Sequence, residues 1–239
     1  MVQLTLSNLK LEDLRAYILL QEQPIAAYPW TQTDEIELTE REITQVQDIT
    51  ARLLNHDTAL MNEATIWARA IYPLLLLAEQ RDIEVWAEVG LSGQFAQFEV
   101  SGTADGALGR CVAGRLEALF LVVIEAKRGI EAANPVFQLY GELLAAAYQN
   151  WRADRQEVQV VFGCYTIGDT WKFLRAEVQG FVSEQPQMRV EPSREYGERF
   201  EAALILKILK KIVAQYTTDH HAMDHHTTDH HATDHHATA

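Results

Sequence analysis

The residues best suited to chemistry are two acids and a lysine. Asp105 lies within Gly102-Thr103-Ala104-Asp105-Gly106, and Glu125-Ala126-Lys127 begins twenty residues after it. Glu125 and Lys127 are two apart at the end of an apolar run, so on a strand both project from the same face. Charges emerging together from a buried strand need partners, because burying them alone is costly. A divalent ion shared by Asp105 and Glu125 would satisfy both carboxylates. Mg²⁺ (or Mn²⁺) suits such an oxygen site, completed by water and a substrate phosphate. Lys127 beside the ion could hold or polarise an attacking water and neutralise charge developing on a phosphate. These parts suit phosphodiester hydrolysis. Plainer readings stand beside this one: Glu125 and Lys127 as an ion pair at a strand end, and Asp105-Gly106 as a hairpin dipeptide.

Two more residues point the same way. Glu63 shares a helix face with Leu60, Trp67, Ala70, Ile71 and Leu74, where an unpaired acid is rare. It is expected to reach the metal through water, or else to sit at the edge of the stripe and snorkel to solvent. Gln138 stands eleven residues after Lys127, early in a helix, where it either faces the same pocket or faces solvent.

Elements to carry these residues are legible as patterns. A short helix is expected near 11–21. Thr39 and Glu42 form a capping box ahead of Ile43, Val46, Ile49 and Leu53 at helical spacing. A second helix should run over about 60–79, bent at Pro73. The period then changes to two at Ile83, Val85, Ala87 and Val89, and again at Ala96, Phe98 and Val100, with Gly90 and Gly93 suggesting a turn between. Leu119–Ile124 reads as a strand buried on both faces. A helix follows from Pro135 to about Trp151, then strands over 158–162 and 171–178 joined at Gly168-Asp169. Ser193 is placed to cap a last helix over about 194–216. The fold class expected is α/β: a central mixed β-sheet flanked by helices. Residues 1–59 read as an N-terminal helical extension, 60–216 as the α/β core with its C-terminal helix, and 217–239 as a tail.

The series Glu63, Gly102-x-x-Asp105, Glu125-x-Lys127 and Gln138 resembles the PD-(D/E)XK nuclease superfamily. The likeness is greatest to nuclease domains of type I restriction R subunits and related stand-alone proteins, and covers about 61–171. Asn62-Glu63-Ala64-Thr65 resembles their first helix, and Ile124-Glu125-Ala126-Lys127-Arg128 their core strand. The resemblance implies a restriction-endonuclease-like core and Mg²⁺-dependent cleavage of DNA. It makes Asp105 and Glu125 the metal ligands, Lys127 the catalytic lysine, Glu63 an auxiliary acid and Gln138 the family's glutamine. Two positions depart from the pattern: Ala104 stands where many members have proline, and Glu142 where a tyrosine often follows the glutamine.

Composition narrows the alternatives. At 239 residues the chain fits one α/β domain with additions, and 48% hydrophobic with 23% charged residues is ordinary for a globular protein. The longest apolar run, Ala118–Ile124, is too short to span a membrane, and no basic-then-apolar leader opens the sequence. Two cysteines, Cys111 and Cys164, make no disulfide framework, so a cytoplasmic location is expected. The formal charge of −14 excludes a uniformly basic coat for nucleic acid, though not a local groove. Four of the acids and eight of the nine histidines lie in the Asp-His-His repeat from Thr217, leaving the body at −10. That period matches neither helix nor strand, so the tail is expected to be disordered. It is either an unselected repeat or a loose Zn²⁺, Ni²⁺ or Cu²⁺ binder.

Outside the motif, Arg110, Arg128, Arg152, Arg155, Lys172 and Arg175 flank the proposed site and could contact phosphate. Lys207, Lys210 and Lys211 share a helix face that ordinary solvation would explain. The leading expectation is a metal-dependent nuclease acting on DNA. The rivals are a catalytically silent protein of the same fold that binds nucleic acid or a protein partner, and an α/β assembly subunit whose charges are simply paired.

Overall fold

The computed structural model describes residues 1–127 and 135–224. It is a mixed α/β fold built on one curled eight-stranded sheet with helices against it. In chain order the elements are β1 (Val2–Thr5), α1 (Leu11–Tyr17), β2 (Leu19–Glu22), α2 (Glu40–Leu54), α3 (Glu63–Ile66), α4 (Tyr72–Ala78), β3 (Ile83–Gln94), β4 (Phe98–Val112), β5 (Arg115–Lys127), α5 (Val136–Asp154), β6 (Val158–Ile167), β7 (Thr170–Gln179), β8 (Gln187–Gly197) and α6 (Glu198–Asp224). The sheet runs β1-β4-β5-β6-β7-β8-β2, with β3 on the other edge of β4. β5 and β6 are parallel and joined through α5, and the pairs β1 with β4 and β2 with β8 are also parallel. The remaining pairs are antiparallel.

Local chemistry accounts for several elements. Thr39 and Glu42 close the reciprocal capping box of α2, which buries Val46, Ile49 and Leu53. Between α3 and α4 the backbone widens into a π-helical turn, Trp67–Ile71. Pro73 has no N–H and its ring crowds the carbonyl four residues back, so a wider turn there relieves a clash that a regular helix would keep. Gly168 supplies the positive φ of the turn between β6 and β7.

Elsewhere the structure departs from the sequence reading. Gly90 and Gly93 lie inside β3, and the hairpin turns instead at 95–97. The segment around Ser193 is β8, and the last helix begins only at Glu198. Ser193 caps no helix: its hydroxyl accepts the Phe173 N–H at 2.9 Å and donates to the Arg194 carbonyl at 2.6 Å. The N-terminal segment, read as a helical extension, contributes β1 and β2 to the sheet. α6 continues to Asp224, into the repeat, and the remainder of the tail lies outside the described residues.

Two apolar cores cover the two faces of the sheet. One gathers α2, α3, α4 and α6 around Ile66, Leu74, Val122, Ile124 and Leu209. The other gathers α1 and α5 around Phe98, Val123, Leu143 and Leu174. The hairpin of β3 and β4 crosses from one to the other. The Val85–Leu108 pair belongs to the first core and the Val89–Ala104 pair, on the same pleat, to the second. Between those pairs stand Glu88, whose φ is 53°, and Asp105. The bend that curls the sheet is where the acid sits.

Candidate active site

Asp105 owes its position to an interrupted ladder. The antiparallel pairing of β4 with β5 ends at Gly106–Ile124. One step further, the Ala126 N–H donates to the Asp105 carboxylate, Oδ2, at 2.6 Å. A side chain thus takes the donor that a continuing strand would have used. Gly106 is not part of a turn, as its dipeptide suggested. It gives room to Trp67, whose ring would lie 2.5 Å from a Cβ built there. Asp105 is half-buried, and burial raises its pKa, opposed by the Ala126 hydrogen bond and the Lys127 charge.

Glu125 and Lys127 project together from the end of β5, one strand over. Glu125 is 0% exposed, whereas Lys127 reaches solvent. Their side chains form an ion pair, yet neither Glu125 oxygen has a hydrogen bond of good geometry. Burial first, and the Asp105 charge second, raise the Glu125 pKa to about 7. Burial lowers the Lys127 pKa, but Glu125, Glu63 and Asp105 outweigh it and the net shift is upward. The lysine is therefore an ammonium at neutral pH.

Glu63 opens α3 behind Asn62, whose side chain caps the helix by accepting the Thr65 N–H at 2.8 Å. It is half-buried. With Ala64, Trp67, Ala87, Glu88, Asp105 and Ala126 it lines an open pocket of 340 Å³. The stripe that placed it is shorter than expected, since Leu60 precedes the helix and is 74% exposed.

Gln138 lies in the first turn of α5 and donates to Glu142 Oε1 at 3.0 Å. Glu142 is 0% exposed and its second oxygen has no hydrogen-bond partner. Burial, then the Glu125 charge, push its pKa far up. Glu142 is the residue that motif reasoning undervalued. It stood only as a departure from a tyrosine, yet it connects Gln138 to Glu125. Its signal in the sequence was an acid between Leu139, Leu143 and Leu144 on a helix whose middle is apolar all round.

No family model matches this chain, and no curated protein does.

Among the described residues, no three His, Cys, Asp or Glu side chains are grouped as a ready metal cage. The donors that are present still fit a hard divalent ion. Asp105 has one oxygen committed to Ala126, and Glu125 is a buried acid with one oxygen paired to Lys127. Mg²⁺ needs only one or two carboxylates when water and phosphate fill its other positions.

Of the cations expected to flank the site, Arg128 lies outside the described residues. Arg110 is paired with Asp82 at 3.1 Å, and Arg155 stacks over Trp151. Arg152 reaches the Tyr148 hydroxyl, and Arg175 pairs with Glu177 and Glu191. Lys172 alone among the described members of that set joins the strand row that contains Glu125. Lys210 and Lys211 are not a solvated face: they hold Glu42 and Glu35, tying α6 to α2 and the loop before it.

Proposed function

We propose that this protein is a metal-dependent nuclease of the PD-(D/E)XK type, with a restriction-endonuclease-like core formed by β4, β5, α5 and β6, and that DNA is its substrate. The observation that carries this reading is Glu125: an acid at 0% exposure that, beside the Lys127 ammonium, meets a second buried acid, Glu142, and feels the charge of Asp105 as well. Among the described residues, three neighbouring acids against one ammonium leave an excess of negative charge that is costly to bury, and a divalent cation offsets it.

Asp105 and Glu125 would hold Mg²⁺ or Mn²⁺, which supplies Lewis acidity and a more acidic water. The Lys127 ammonium reaches solvent and can donate to that water or to a phosphate oxygen as negative charge grows. Glu63, across the pocket, can accept a hydrogen bond from water. Gln138 and Glu142 hold the α5 side of the site against Glu125.

The test is cleavage of linear, circular and single-stranded DNA with Mg²⁺ or Mn²⁺, alongside calorimetric metal titration. Folded protein that binds neither ion and cuts none of the three would instead support a silent member of the fold that binds nucleic acid or a protein.

A further inference from the structure

The strand registers continue the candidate site sideways. Glu125 is paired with Tyr165 on β6, Tyr165 with Lys172 on β7, and Lys172 with Glu195 on β8. One step along, Lys127 is paired with Ile167, and Ile167 with Thr170. Directly paired residues share a sheet face, and so do residues two apart on one strand. Tyr165, Ile167, Thr170 and Lys172 therefore lie on the face that carries Glu125 and Lys127. They and Glu195 line a depression of 220 Å³.

Among the described residues, this end of the face reaches solvent while positions further along β7 are covered. Ile167 is exposed, and Tyr165, Thr170 and Lys172 are half-buried, whereas Leu174 and Ala176 further along β7 are in the core beneath α5. An aromatic ring and an exposed isoleucine at such a place offer an apolar platform. Lys172 adds a cation whose nearest acid, Glu195, is 3.9 Å away and itself mostly exposed.

We propose that this depression seats the nucleotide next to the cleaved bond, its base on Tyr165 and Ile167 and its phosphate on Lys172, and that the strand bound there is single. This deepens the nuclease reading and rests on it for the direction of the strand. Electrostatics favour a single strand. The body carries −10, and among the described residues the depression holds one lysine beside Lys127, few cations for a duplex, whose charge is denser. Stacking on an aromatic face needs an unpaired base and little charge.

The experiment measures fluorescence anisotropy of labelled single-stranded oligodeoxyadenylate, and of its duplex with oligothymidylate, with Ca²⁺ in place of Mg²⁺. Wild type should bind the single strand more tightly. Tyr165→Ala should weaken that binding about tenfold without changing its salt dependence, and Tyr165→Phe should keep it. Lys172→Ala should weaken binding and flatten log K against log salt by about 0.7, and Lys172→Arg should restore both. Melting curves check that each variant is folded. Preference for duplex, or single-strand binding unchanged in both alanine variants, overturns the proposal. Cleavage by wild type together with unchanged binding in the variants overturns the platform alone. Variant-sensitive binding by a protein that cuts nothing overturns the nuclease reading and leaves the platform.

Discussion

The Asp105 carboxylate takes the Ala126 N–H at 2.6 Å, where the ladder between β4 and β5 stops. One side chain thereby fixes how the strands carrying the two acids part. Its structural and metal-binding roles can be separated by substitution. Asp105→Asn keeps an acceptor oxygen and should retain most of the stability while losing at least about tenfold in Mg²⁺ affinity. Asp105→Ala should lose the hydrogen bond as well, at a cost of about 1–3 kcal/mol. Urea unfolding and calorimetry read the two effects. Unchanged Mg²⁺ affinity in Asp105→Asn would mark the residue as structural only.

Lys127 and Glu125 should fail in different ways. Lys127→Ala removes a donor needed as phosphorus is attacked, so cleavage should fall about 10²–10³-fold while Mg²⁺ still binds. Glu125→Ala removes a metal ligand and should weaken Mg²⁺ binding itself. Parallel calorimetry and plasmid cleavage distinguish these outcomes. Equal loss of metal binding in both variants would contradict the division of roles.

Glu142 presses a second buried acid against Glu125, with Gln138 on its other oxygen. Glu142→Gln keeps an acceptor for Gln138 and spares the folded state the cost of holding either a proton or a charge there, so it should raise the melting temperature of metal-free protein at pH 8. Glu142→Leu leaves the Gln138 amide unpaired and Glu125 unsupported. It should weaken Mg²⁺ binding about 10–100-fold, as loss of outer support for a ligand does. Identical metal affinities in wild type and Glu142→Leu would exclude Glu142 from the site.

Glu198 provides a pH dependence outside the site. Its carboxylate accepts the Trp171 indole N–H at 2.7 Å, its other oxygen has no hydrogen bond, and burial raises its pKa to about 8. The folded protein therefore holds a proton that the unfolded chain releases near 4.5. Stability from this group is full below pH 4.5, falls as pH rises to about 8, and is level above that. Glu198→Gln keeps the acceptor without the charge, so its stability relative to wild type should grow across this window, by up to a few kcal/mol. Urea unfolding at pH 5, 7 and 9 tests this, and parallel curves for the two proteins would refute it.

What the sequence determined by itself is local. Thr39 and Glu42 specify the start of α2 because a capping box closes within one turn. Glu125 and Lys127 share a face because a strand alternates with a period of two. β8 escaped such reading because Pro192 and several charges break its pattern. Its polar residues are held by distant partners, Glu191 by the Trp30 indole at 3.2 Å and Ser193 by the Phe173 N–H at 2.9 Å. Pro192 itself sits where the register between β7 and β8 shifts, a place that needs no N–H. Tertiary structure alone decided that Asp105 meets Ala126, that Glu142 faces Glu125, and that Lys172 lies in the Glu125 row. Each depends on the register between strands or the seating of a helix on the sheet. Register is chosen by burial summed over both cores, which no window of sequence contains.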